Sequence, residues 1–193
     1  KRLIFFMPYM IGGGVEKNLF IISNFLIKKI KNITICTVSE SFKKKFDNRI
    51  KFLSPKKKIS KNKNARVNYL ICLFLLFNYL RKNKNCVVFS FQANIYCILL
   101  CKLLNVRIIV RSNSSPYGWY HNYVKEFFYK KIISLADKVI VNSLEFKKQM
   151  SDKFDIKVNC IYNPLDSSKI LRNSKKGKTD NFFKNKKKIL KII

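Results

Sequence analysis

Three consecutive glycines, Gly12, Gly13 and Gly14, separate a short apolar run from a helix-like pattern, in the stretch LIFFMPYMIGGGVEKNLF. Pro8 cannot donate to a central ladder, so a strand over residues 3–7 ends there. From Val15 onward Leu19, Ile22, Phe25, Leu26 and Ile30 recur at helical spacing. Glu16 falls in the first turn and Lys28, Lys29 and Lys31 at the end, a charge order that suits the helix dipole. The unit reads as strand, tight loop and helix, the opening of an α/β fold. Glycines in such a loop permit a sharp turn and also leave backbone open to a phosphate or sugar; residue type alone leaves both uses open. A dinucleotide fingerprint would place a third glycine at position 17, which is Lys17, and Glu40 after the second strand does not rescue the pattern. No Gly-Lys-Ser/Thr follows, so no phosphate-binding P-loop is present.

The rest of the chain repeats the alternation. Apolar, β-branched runs predict strands over residues 32–39, 50–53, 86–91, 106–110, 138–141 and 157–161. Helical segments are expected over residues 15–31, 65–82, 94–104, 119–135 and 144–154. Short unbroken apolar strands alternating with helices predict an α/β fold with a Rossmann-like, doubly wound parallel sheet. Ligands in such sheets lie beyond the carboxyl ends of the strands, where Arg111 and Asn113 follow the fifth strand, and Asn142 and Ser143 the sixth. Ser143 also suits the cap of the helix after it. The helix over residues 65–82 is apolar almost all round, so burial is expected; insertion of part of it into a lipid interface is the alternative.

The formal net charge is +31, spread along the 193 residues. Such a field favours nucleic acid, anionic lipid or phosphorylated substrates, although a genome rich in A and T also pushes surfaces toward Lys, Asn and Ile. No helix-turn-helix, RNA-binding signature or zinc module is present, so no specific nucleic-acid partner is expected. The six cysteines sit among apolar residues without a Cys-x-x-Cys pair, as small buried hydrophobes in a reducing compartment. The first apolar run is broken by Pro8 and lacks a small-residue cleavage site, which argues against a signal peptide. The longest apolar stretch, residues 69–80, is too short to span a bilayer. The expected location is cytoplasmic, with a peripheral place at the inner face of the membrane open. Residues 167–186 are polar and Lys-rich like a linker, and residues 187–193 (KKILKII) begin another strand. A longer protein is therefore expected.

In their order and spacing, FFMPYMIGGGVEKNL, VVFSFQANIYCILLCKLL with VRIIVRSNSSP, LADKVIVNSLEFKKQM and VNCIYNPLD resemble the N-terminal half of family 4 retaining glycosyltransferases. That family has the GT-B fold of two facing Rossmann-like domains. The resemblance implies sugar transfer from a nucleotide-sugar donor to a glycan or polyprenyl-linked acceptor, with no cofactor and usually no metal. It implies an acceptor-side domain over residues 1–166, a linker over 167–186, and the first strand of a C-terminal donor domain over 187–193. Gly13 and Gly14, with Glu16 behind them, would face the donor phosphates or transferred sugar. Arg111, Asn113 and His121 would lie on the acceptor side, with Asn142, Ser143 and Asn163 facing the cleft. Without its donor domain the chain would be inactive as a hexosyltransferase. A non-catalytic basic module on anionic membrane or nucleic acid is the competing reading.

Overall fold

The computed structural model describes residues 2–56, 64–83, 85–118 and 122–176. Its sheet has seven parallel strands in the order β3-β2-β1-β4-β5-β6-β7. In chain order these are β1 (Arg2–Phe6), β2 (Ile33–Cys36), β3 (Lys51–Leu53), β4 (Cys86–Ser90), β5 (Arg107–Ser112), β6 (Lys138–Val141) and β7 (Val158–Cys160). The helices are α1 (Gly14–Leu26), α2 (Ala65–Lys82), α3 (Asn94–Leu103), α4 (Tyr123–Ile133), α5 (Leu144–Phe154) and α6 (Ser167–Lys176). This is the doubly wound α/β architecture expected, with the strand order reversing between β1 and β4.

The pleat divides the core in two. On one face Ile4 and Phe6 of β1 pack with Leu76 of α2, Ile98 of α3, Ile133 of α4 and Phe154 of α5. On the other, Leu3, Phe5 and Met7 pack with Leu19 of α1 and Ile27 just after it. Residues 3–6 of β1 are therefore buried on both sides, which is why this strand reads as an unbroken apolar run.

Two expectations are corrected. Helix α2 is not buried all round: Asn68, Cys72, Leu76 and Leu80, four residues apart, form its buried face, while Leu70 and Phe74 are each 66% exposed. A helix layered on a sheet has one stripe to bury, whatever its mean hydropathy. Strand β5 also does not stop at Val110. Arg111 and Ser112 continue it, paired with Ile140 and Val141 of β6, because a neighbouring strand can hold backbone groups beneath a charged side chain. Helix α6 lies in part of the segment read as a linker; residues 177–193, with the further strand expected there, fall outside the described residues.

Candidate functional site at the carboxyl edge of the sheet

Strand β1 delivers the glycine turn to the carboxyl edge. The Pro8 carbonyl accepts from the Val38 amide at 3.1 Å, and the Tyr9 amide donates to Gln92 Oε1 at 3.1 Å. Gly12 adopts φ +93°, the left-handed region that only glycine enters freely. Gly13 is the N-cap of α1 and offers no side chain to its first amides. A Cβ on Gly13 would lie 3.1 Å from Glu16 Oε2, whereas one on Gly14 would meet open space. Glu16, 4% exposed, accepts from the Ile11 amide through Oε1 at 3.1 Å. Its carboxylate ties the loop back to the helix.

Helix α3 begins at the same edge. Its N-cap, Ala93, is left-handed (φ 51°, ψ 38°) and supplies no side-chain cap. Asn94 accepts from the Ser90 hydroxyl at 2.8 Å and donates Nδ2–H to the Arg111 carbonyl at 3.1 Å, joining the ends of β4 and β5.

Arg111 is 2% exposed. Its Nε donates to Asn113 Oδ1 at 3.3 Å, and its Nη2 donates to the Ile161 carbonyl at 3.1 Å and to Asn163 Oδ1 at 2.9 Å. Asn163 Oδ1 also accepts from Asn18 Nδ2 at 2.8 Å, so the turn after β7 is pinned onto α1 through the guanidinium. All these acceptors are neutral oxygens. Burial pulls the guanidinium pKa below its ordinary value, opposed by the nearby Cys160 thiol; the group nevertheless stays charged at any physiological pH.

These pieces frame a cavity of about 540 Å³. Val15 of α1, Phe91, residues 93–96, residues 111–114 and Tyr129 line it. Smaller cavities of about 300 and 250 Å³ lie at the amino ends of β6 and β7 and of β2 and β3. The larger one stands where parallel sheets bind ligands.

Of the residues singled out in the sequence, Arg111 and Asn113 line the cavity, and Asn163 holds Arg111 from outside it. Gly13 and Gly14 precede Val15 on its rim. Ser143 accepts from the Phe146 amide at 3.1 Å and caps α5. Asn142 follows β6, and its buried Oδ1 has no hydrogen-bond partner. Neither is among the cavity-lining residues. His121 lies outside the described residues. Sequence reasoning missed Asn18 and Asn94: Asn18 is one of several polar residues of α1 and Asn94 opens α3, so neither stands out locally. Among the described residues no group of His, Cys, Asp and Glu could hold a metal ion. All six cysteines are free thiols, and all but Cys160 are buried.

The fold is that of solved glycosyltransferases. A glycosyltransferase from Rickettsia africae superposes with a TM-score of 0.61 at 19% identity, over 91% of this chain and 48% of its own. The Anabaena protein HepE, solved with UDP and glucose, gives 0.61 at 11% identity over 86% and 45%. A UGT transferase from Siraitia grosvenorii, solved with UDP, gives 0.55 at 12% identity over 91% and 54%. The likeness is one of fold. This chain spans about half the length of these structures. No family model and no curated protein matches it.

Proposed function

We propose that this chain is the acceptor-side domain, residues 1–166, of a nucleotide-sugar-dependent glycosyltransferase of the retaining family 4 type. The observation that carries the reading is the carboxyl-edge cavity bordered by the first turns of α1 and α3, in a fold shared with glycosyltransferases solved with UDP. The donor would be a nucleotide sugar, serving as co-substrate with no further cofactor. The acceptor would be a cell-surface polysaccharide or lipid-linked glycan. Transfer needs stabilisation of charge on the departing nucleoside diphosphate, which fixed amides such as those of the glycine turn supply. It also needs water kept from the donor, which a second domain closing over this edge would achieve. On this reading residues 187–193 open that donor domain.

A lipid-linked acceptor agrees with the surface. Helix α3 packs between α2 and α4, and their outer sides expose Leu70, Phe74, Leu99, Leu103, Tyr123 and Phe127. Arg66, Arg81, Lys102, Lys125 and Lys131 belong to the same helices. Apolar side chains among cations suit an anionic membrane surface. Among the described residues no helix is long and apolar enough to cross a membrane, so the association proposed is peripheral.

The test is transfer. The protein carrying this chain, given a panel of nucleotide sugars and a polyprenyl-phosphate-linked glycan, should release nucleoside diphosphate only when acceptor is present. Absence of acceptor-dependent release across the panel, with salt-sensitive binding to vesicles and DNA alike, would favour the non-catalytic basic module instead.

A further inference from the structure

The cavity is built for a negative charge. The first amides of a helix have no intrahelical acceptor and carry the positive end of its dipole. In both α1 and α3 the N-cap contributes no side chain to them. Arg111 lines the same cavity and is only 2% exposed. Its partners at Nε and Nη2 are neutral oxygens, and Nη1 has no hydrogen-bond partner among the described residues. A buried cation without a counter-ion is costly, and a ligand that supplies the counter-ion relieves that cost.

The carboxylate in the first turn of α1 is already engaged elsewhere. Glu16 turns toward the Ile11 amide and is not among the cavity-lining residues, none of which is acidic. The apolar and aromatic part of the lining is Val15, Phe91, Ala93, Ile95, Tyr96 and Tyr129. They suit the C–H face of a sugar ring, and the volume suits a substituted monosaccharide.

We propose that the acceptor sugar held in this cavity is anionic, a sugar phosphate or a uronic acid, its oxyanion bound by Arg111 Nη1 and the free amides of residues 94–96. This inference rests on the acceptor-side reading above. It adds the chemical class of the acceptor.

The experiment is an NMR titration of the isotope-labelled chain with glucose 1-phosphate, glucuronate, glucose, inorganic phosphate and UDP at constant ionic strength. Charge-assisted hydrogen bonds should make glucose 1-phosphate or glucuronate bind about 10-fold or more tighter than glucose. The shifts should concentrate at the Arg111 Nε–H and the amides of residues 94–96. Comparable gains from the two anionic sugars would point to the oxyanion alone, and a gain from only one would identify the acceptor as sugar phosphate or uronate. Arg111→Gln should weaken binding about 10-fold, with Arg111→Lys recovering part of it. Should both variants fail to fold, the wild-type shift map still decides.

Equal affinity for glucose, shifts scattered over surface lysines, or response to inorganic phosphate or UDP alone would overturn the proposal. The outcomes also separate the two claims. Transfer by the whole protein to a neutral acceptor, without anion binding here, removes this inference and leaves the glycosyltransferase. Anion binding without transfer leaves an anion site and removes the enzyme.

Discussion

At the scale of single residues, the three glycines divide into different roles. Gly12 is needed for its backbone, at φ +93°, so Gly12→Ala should cost about 1 kcal/mol or more of stability, measured by thermal denaturation. Gly14 faces open space at the first position of α1, and Gly14→Ala should leave the melting temperature nearly unchanged. A loss of donor or acceptor binding in Gly14→Ala would then report a ligand passing close to its backbone. Asn163 joins Arg111 and Asn18 through one carbonyl oxygen. Asn163→Ala leaves a buried guanidinium donor unpaired and should cost about 1–3 kcal/mol; a change under a few tenths would show that the bridge does not hold the site.

At the scale of elements, α2 separates hydropathy from burial. Leu76→Ala removes a side chain with no exposed surface and should cost about 2–5 kcal/mol. Leu70→Ala, on the exposed side, should fall within about 0.5 kcal/mol. Denaturant titration of the two checks the assignment of faces, and similar losses would restore the all-round burial that hydropathy suggests. The end of α3 is clamped differently. Asp137 Oδ2 accepts from the Ile108 amide at 2.8 Å and from Lys102 Nζ at 2.9 Å. Desolvation raises the Asp137 pKa, but the bonds to Ile108 and Lys102 outweigh it and hold it below its ordinary value. The stability this contributes is present above the ordinary carboxylate pKa and is lost as pH falls through the lowered one. Asp137→Asn should therefore flatten the acid limb of the unfolding profile.

Those elements also show what the chain makes legible. Helices α2 and α5 and strand β6 lie where the apolar pattern puts them, Ala65–Lys82, Leu144–Phe154 and Lys138–Val141, because local period and caps decide their ends. Which side of α2 is buried is not local: an all-apolar helix carries no stripe, and only the sheet selects one. The same holds for β5, where the charge of Arg111 hides its place inside a strand. The glycine turn and the Arg111–Asn113 pair are legible from their positions at strand ends. Asn18 and Asn94 are not, since their partners lie on other segments and only folding brings them together.

At the scale of the whole molecule, the net charge of +31 and the apolar outer sides of α2, α3 and α4 make one expectation. The chain should sediment with vesicles rich in anionic lipid and less with zwitterionic ones, and a Phe74→Ser, Phe127→Ser double variant should lose binding several-fold at unchanged charge. Binding that falls with salt but ignores the double variant would assign the attraction to charge alone.

The central claim is that the carboxyl-edge cavity receives the acceptor of a sugar transfer. It is tested most directly by steady-state kinetics of the whole protein against its Arg111→Lys variant, varying acceptor and donor separately. The account predicts acceptor-dependent nucleoside diphosphate release that survives EDTA, with the variant's KM for acceptor raised several-fold, short of the loss in Arg111→Gln, and its KM for donor unchanged. A variant that raises the donor KM alone, or a protein with no acceptor-dependent release, would contradict it.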